Sequence, residues 1–397
     1  MDKERLYDIV VAPRDPIIAR DGRPFAATPG AQAVSLPWPL PGTLAGTIRT
    51  AIGTSLGFDW RNGGAGRARR IAVLGPLMLA RRPGAETEEG WSVYLSAPRD
   101  AVVVEAEPGR PEVHALRPYA LPAGAGVNLP DGLCTLHRSG PPGKPSAEYL
   151  YWPLTEYISW LATTPPPGRR PPPSCLGALP RDTRVHVAID HQTATALEGA
   201  LFSTEALALA DAPLKPWPGY GAGEMPARAL LCRVATDEAW TIDRPLFATL
   251  GGERRLVELR PATASSLWPS CPDELSGALE GQRRLRLILA TPALFTDGWK
   301  PGWLGDGLTG SPPGASDLRL RLVAAAVSRP EPVSGWDMER NAPKTVRYMA
   351  PAGSVYFFEV TDGTMNVRDV AALWFASLSD AAQDRNDGFG LALPGVW

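Results

Sequence analysis

At 397 residues, 44% hydrophobic and 21% charged, the chain has room for two or three domains and the ordinary make-up of a globular protein. Its net charge of −2 supplies no overall field that announces nucleic acid. No apolar run reaches the length of a membrane span, and Met1-Asp2-Lys3-Glu4-Arg5 leads into a strand-like run with no signal-peptide core, so a cytoplasmic protein is expected.

Residues 6–19 read as extended, with Pro13 and Pro16 marking a bent or edge strand. A helix is predicted over 43–56. Leu44, Ile48, Ile52 and Leu56 recur every fourth residue there, Pro41-Gly42-Thr43 starts it, and Gly57 suits a C-terminal cap. Residues 62–70, Asn-Gly-Gly-Ala-Gly-Arg-Ala-Arg-Arg, read as a flexible basic loop, and 71–80 as a second strand. Residues 93–150 are turn-rich. A second helix is expected within 148–161, interrupted or started by Pro153. The Pro/Arg tract 163–173 is too stiff and extended for a core element.

Beyond it the period changes to two. Residues 184–190 alternate as a strand, 200–210 and 229–234 follow, and 246–250 with 254–259 form a hairpin about Gly251-Gly252. Residues 262–282 mark a boundary. Residues 285–290, 318–327 and 354–360 read as strands, and 368–378 as a helix showing Val370, Leu373 and Trp374 on one face. Strand, short connection, strand, strand, helix, strand is the order of a ferredoxin-like unit, and the first half reads as a decorated version of it. The expected architecture is α+β: two ferredoxin-like (RRM-like) domains with long loop insertions. They are residues 1–262, carrying the Pro-rich loop 163–173, and residues 283–397, ending in a glycine-rich tail. No short-period repeat suggests a solenoid.

Four cysteines, Cys134, Cys175, Cys232 and Cys271, form no CxxC pair, which excludes zinc ribbons and thioredoxin chemistry and leaves free buried thiols as the expectation. His186 and His191, five apart on a strand, face opposite ways and are not expected to share a metal. No GxSxG or HExxH occurs, and Gly251-Gly252-Glu253 lacks the next acidic residue of a nucleotide-cyclase signature. No catalytic residue, metal or cofactor is therefore nominated. Residues 137–144 have the wrong spacing for a phosphate loop, with Pro145 after Lys144, so His137-Arg138 belongs to a basic RNA-contacting loop or a plain turn.

Glycines beside cations recur instead. Arg20-Asp21-Gly22-Arg23-Pro24-Phe25 follows a strand, and its Asp-Gly is a turn signal. It is either a solvated turn or one that sets Arg20 and Arg23 on phosphates. The helix start at Gly42-Thr43 offers unpaired N–H groups and a partial positive charge, although an ordinary capped helix reads the same way. Arg49, one position after the Ile48 stripe, is expected to point outward. Thirteen tryptophans exceed what core filling needs, so some are expected to stack on bases or bury in partners.

Six segments in order carry a resemblance over nearly the whole chain: Asp15-Pro16 with residues 20–25; 41–46 with Arg49; 184–202; 289–299; Pro343-Lys344 followed by 351–356; and the glycine-rich end. They resemble the third subunit of the Cmr complex, the type III-B RNA-guided CRISPR effector, in the repeat-associated RNA-binding (RAMP) superfamily. The resemblance implies capture of the repeat-derived 5′ tag of the CRISPR RNA, and docking to the large polymerase-like subunit beside a neighbouring RAMP backbone subunit. It also implies antiviral defence within a ribonucleoprotein, no RNA cleavage and no membrane. The expected RNA surface is Arg20, Arg23, Gly42, Thr43, Arg49, Arg138, Arg184 and His186, with Lys344 and Arg347. Single-stranded RNA is held by phosphate contacts, stacking and the 2′-hydroxyl, which these residue types supply. The near-neutral charge predicts weak, salt-sensitive binding by the isolated subunit. Two other readings stay open: a related endoribonuclease that processes CRISPR RNA with His186 as general acid or base, and a structural adaptor that touches only protein.

Overall fold

The computed structural model describes residues 5–20, 32–81, 90–107, 109–138, 140, 142–163, 168, 170–172, 174–209, 228–262, 267–337, 340 and 342–397. Arg23, with its Asp-Gly turn, and part of the Pro/Arg tract lie outside the described residues. The principal elements, in chain order, are β1 (Arg5–Pro13), α1 (Pro41–Ser55), α2 (Gly64–Arg69), β2 (Ala72–Arg81), β3 (Ala101–Glu107), β4 (Arg110–Tyr119), β5 (Thr135–Arg138), α3 (Leu154–Ala162), β6 (Arg181–Ile189), β7 (Ala196–Leu207), β8 (Arg228–Thr236), β9 (Leu246–Leu250), β10 (Arg255–Pro261), α4 (Asp273–Leu279), β11 (Arg284–Leu289), β12 (Leu320–Ala326), β13 (Val355–Val360), α5 (Val367–Leu373) and β14 (Leu391–Gly395). The result is a strand-rich α+β chain with few helices and several sheets. It divides into two compact units: residues 1–91, 179–267 and 332–347 form unit 1, and residues 92–178, 268–331 and 348–397 form unit 2.

Unit 1 is built on five strands in the order β9-β10-β1-β8-β2, each antiparallel to its neighbour. Ile9 and Val11 on β1 are wholly buried and lie opposite Cys232 and Leu259. Helix α1 packs against β2 and β9, and its stripe of Leu44, Ile48 and Ile52 is fully buried. Each such side chain contributes about 1.5–3 kcal/mol of apolar burial. The helix stops one residue before Leu56; Gly57 follows with φ 67° and its N–H donates to the Thr54 carbonyl at 3.2 Å. Strands β6 and β7 form a separate antiparallel ribbon, with a bulge between Ala196 and Leu201 that takes in Gly199 at φ 70°. β6 is the outer edge of that ribbon.

The expected flexible loop at 62–70 is instead the short helix α2. Asp59 turns the chain into it: its carboxylate accepts from the Arg61 and Asn62 N–H groups at 3.0 and 3.2 Å and from the Asn62 amide at 2.7 Å. These bonds hold the Asp59 carboxyl below its ordinary range, the Asn62 side chain contributing most. Gly63 takes φ 85°, and a Cβ on Gly64 would sit 2.5 Å from the Asp59 carbonyl oxygen. The basic residues are engaged as well. Arg67 forks onto Glu238 and lies 4.3 Å over the Phe58 ring, while Arg69 reaches Asp337 at 3.3 Å.

In unit 2 the four strands β14-β11-β13-β12 form an antiparallel sheet, and β3-β4-β5 form another. Helices α3, α4 and α5 pack in succession, with α3 and α5 also against β14. Helix α3 begins at Leu154 because Pro153 caps it in an extended conformation, and residues 151–153 are a short strand rather than the helix start expected at 148. Helix α5 ends at Leu373, shorter than predicted, since Trp374 turns to ψ 111°. Its start is a capping box: Asn366 accepts from the Arg368 and Asp369 N–H groups at 2.9 and 3.0 Å, and Asp369 accepts from the Asn366 N–H at 3.0 Å.

The core of unit 2 holds a charge cluster. Arg286 on β11 and Asp100 are both fully buried and paired, and Arg286 also donates to the Trp160 carbonyl. The Trp160 indole N–H donates to the other Asp100 oxygen at 3.1 Å. Arg117 stands 3.5 Å from Asp100; burial and the neighbouring Arg286 push its pKa down to about 10, against the pull of Asp100.

Candidate nucleic-acid interface

The β6–β7 ribbon brings two nominated residues together. Arg184 and His186 are two apart on β6, so their side chains leave the same face. Across the ribbon Thr204 lies opposite Arg184 and Phe202 opposite His186. The His186 ring stacks on Phe202, centroids 5.1 Å apart and 16° from parallel, and its Nε2 lies 2.9 Å from the Thr204 hydroxyl. Arg184 is half exposed and donates from Nε and Nη2 to one Asp182 oxygen at 2.9 and 2.7 Å. The imidazole is thus engaged by a hydroxyl and an aromatic face, which is a packing and contact arrangement rather than a carboxylate-backed proton relay.

The other face of the ribbon is aliphatic, and the sequence reading missed it. Val185, Val187 and Ile189 on β6 and Leu201 on β7 are all exposed, Val185 by 67%. The signal was available, since β-branched residues at every second position define one face of a strand. A ribbon with a cation, an imidazole and a hydroxyl on one side and bare aliphatics on the other can meet both the charged and the flat parts of a nucleotide.

The α1 start keeps part of its expected character. Pro41 occupies the first turn, no side chain caps the end, and no acidic residue lies in that turn. The Leu40 carbonyl accepts from the Thr43 and Leu44 N–H groups at 3.1 and 3.3 Å. The partial positive charge at Gly42-Thr43 is therefore not neutralised by a neighbouring carboxylate on the helix. Arg49 corrects the expectation of an outward side chain. It is only 8% exposed and donates from Nε and Nη2 to the Ile71 carbonyl at 2.9 and 2.8 Å. One step past the apolar stripe still lies within a helix face that β2 covers.

Of the other nominated residues, Arg20 is exposed beside an isolated bridge to Ser35, and Lys344 and Arg347 are exposed in the 332–347 segment of unit 1. The Lys344 N–H donates to the Gly335 carbonyl at 2.8 Å. Arg138 belongs to unit 2, half buried on β5 opposite Leu116. The segments at 292–299 and 388–390 are scaffold in unit 2. The Gly390 N–H donates to the Pro292 carbonyl at 2.8 Å, and Leu294, Phe295 and Phe389 are buried. Gly390 takes φ 79°, and a Cβ there would lie 2.6 Å from the Ser379 hydroxyl. Several tryptophans serve packing instead: Trp152, Trp160, Trp240 and Trp268 are buried, while Trp60 is exposed.

No cluster of His, Cys, Asp or Glu able to hold a metal exists among the described residues. All four cysteines are free, with the Cys175 thiol pushed up to about 12 and the Cys232 thiol higher still, in both cases chiefly by burial. No helix among the described residues is long and apolar enough to cross a membrane.

The class these features point to, a strand-rich protein whose separate two-stranded ribbon sets Arg184 and His186 on one face and exposed aliphatics on the other, is given a family by comparison. Residues 9–397 match the model of the CRISPR-associated protein family Cas_Cmr3. The chain therefore belongs to that family, the one its motifs resemble: the third subunit of the type III-B (Cmr) CRISPR effector, a ribonucleoprotein complex. No curated protein matches it. Among solved structures, it is similar to a chain in the cryo-EM structure of the Type III-B Cmr-beta bound to cognate target RNA and AMPPnP, state 1, with 12% identity, 88% of this chain and 86% of that chain covered, and a TM-score of 0.43. A chain of the Type III-B Cmr-beta bound to cognate target RNA matches at 14% identity with the same coverage and TM-score. Likeness at that level carries no further conclusion.

Proposed function

We propose that this chain is a non-catalytic RNA-binding subunit of a type III-B CRISPR effector. It captures the repeat-derived 5′ tag of the CRISPR RNA and docks to the large polymerase-like subunit beside a RAMP backbone subunit. The observation that carries the reading is the β6–β7 ribbon of a family member, with Arg184 and His186 on one face and Val185, Val187 and Leu201 bare on the other. The open α1 start at Gly42-Thr43 and the exposed Arg20, Lys344 and Arg347 extend the same unit's cationic supply. His186, bonded to Thr204 and stacked on Phe202, favours contact over acid–base chemistry.

The same reading assigns two ferredoxin-like domains, residues 1–262 and 283–397, of which 92–178 fall in unit 2 and 332–347 in unit 1 as insertions outside the four central strands of each domain. Numbered along the chain, β1, β2, β8 and β10 lie in the spatial order fourth, first, third, second, and so do β11, β12, β13 and β14. That order, antiparallel throughout, is the expected product of a βαββαβ unit.

The test is crosslinking of the chain, co-expressed with the large subunit, to a guide RNA carrying either the native 5′ tag or a scrambled one. Tag-selective crosslinks at residues 184–202 or 41–43 are expected. Equal crosslinking of both RNAs, or none in an intact complex, rejects tag capture.

A further inference from the structure

Between β4 and β5 of unit 2 the chain makes an arm that no proposed RNA role uses. Its base is fixed. The rings of Tyr119 and His137 lie 5.3 Å apart, the Thr135 hydroxyl donates to the Tyr119 carbonyl at 2.9 Å, and the Cys134 N–H donates to the Val323 carbonyl at 2.8 Å. Beyond the base, every residue from 119 to 132 is exposed. Leu121, Val127 and Leu129 project from it together with Tyr119; Val127 is 50% exposed and Tyr119 46%. The arm stands clear of its own fold, since a Cβ placed on Gly124, Gly126 or Gly132 would meet nothing within 4 Å. It also has internal order: turns close from the Ala125 N–H to the Pro122 carbonyl at 3.1 Å and from the Leu133 N–H to the Pro130 carbonyl at 3.2 Å.

Composition selects the occupant. From Ala120 to Cys134 the arm has no lysine or arginine, and Asp131 is its single charge. Nucleic acid binding draws its affinity from cations that displace counterions, so an arm whose single charge is a carboxylate is a poor seat for RNA. Four large apolar side chains held out in water by proline-stiffened turns suit a protein groove, where burial supplies the energy and prior order limits the entropy lost.

We propose that residues 119–133 are a docking arm that inserts Leu121, Val127 and Leu129 into an apolar, neutral-to-basic groove on another protein subunit of the effector. This rests on the proposed function only in placing the chain in a multisubunit complex.

The test has two parts, both in the co-expressed, assembled complex. First, a benzophenone amino acid replaces Val127, and crosslinks are mapped. Attachment to another protein subunit is expected; attachment to RNA, to a second copy of this chain, or to nothing overturns the proposal. Second, the variant Leu121→Ser/Val127→Ser/Leu129→Ser is titrated into the remaining subunits. The melting temperature of the free chain should stay unchanged while its affinity for them falls at least tenfold. Unchanged affinity overturns the proposal. Tag-selective RNA crosslinking in unit 1 is scored in the same samples, so loss of docking and loss of tag capture read out separately.

Discussion

Units 1 and 2 order their four central strands alike but keep opposite helices. Unit 1 retains a long helix between its first and second strands, α1, and joins β8 to β10 through the hairpin strand β9. Unit 2 does the reverse: β11 leads to β12 without an α-helix, and α5 connects β13 to β14. The two differ again in where charge is kept. Unit 1 sets part-exposed arginines over shielded carboxylates, as in Arg67–Glu238, Arg233–Asp8 and Arg14–Glu258–Arg260. Unit 2 buries Arg286 and Asp100 completely. One strand order therefore tolerates two ways of covering a sheet and two ways of placing charge, with very different costs when a partner is lost.

The largest expected effect lies in unit 2. Replacing Arg286→Met leaves Asp100 buried and short of a partner, and should cost about 3–5 kcal/mol in urea denaturation. Hydrogen exchange should rise in β11 and β13 well before β1 and β8; uniform loosening would erase the contrast between the units. Next, Arg49→Met removes both bonds to the Ile71 carbonyl and should cost about 1–3 kcal/mol, with RNA crosslinking unchanged at a temperature where the variant is folded. A selective loss of crosslinks would return Arg49 to the RNA surface.

Arg67→Ala should cost less than either, because the Arg67 side chain is half exposed and solvent screens its pairing with Glu238. Its pH dependence has a defined sign. The Arg67 hydrogen bond holds the Glu238 carboxyl below its ordinary 4.5, so the stabilisation is complete above that value and fades as pH falls through the folded-state pKa. The difference between the wild-type chain and Arg67→Ala should shrink in acid and stay flat above neutrality. The smallest stability effect belongs to Arg184→Ala, within about 0.5 kcal/mol. Its signature lies elsewhere: in the co-expressed complex, the slope of log affinity against log salt should fall by about 0.7 if Arg184 meets one phosphate of single-stranded RNA.

Much of the architecture was legible from local pattern. The α1 stripe, the alternation in β6, the hairpin at Gly251-Gly252 and the strands 285–290 and 354–360 are each signalled within a short window of sequence. What escaped depends on partners far along the chain. Residues 62–70 look disordered until Glu238 and Asp337 take Arg67 and Arg69. Arg49 looks outward until the Ile71 carbonyl is brought beside it. Nothing local shows that residues 92–178 join the unit built on 268–331 and 348–397. For the candidate interface, the family resemblance nominated Arg184 and His186, and β6 carries both on one face. The exposed aliphatic face was passed over because apolar residues at period two ordinarily mean core.

That aliphatic face has a consequence for how the protein is made. β6 is an edge strand, and edge strands carrying exposed β-branched residues template aggregation unless charge or a neighbour blocks them. Arg184 and Asp182 protect the opposite face only. A chain produced in excess of its assembly should self-associate through β6, and Val187→Lys should keep it monodisperse.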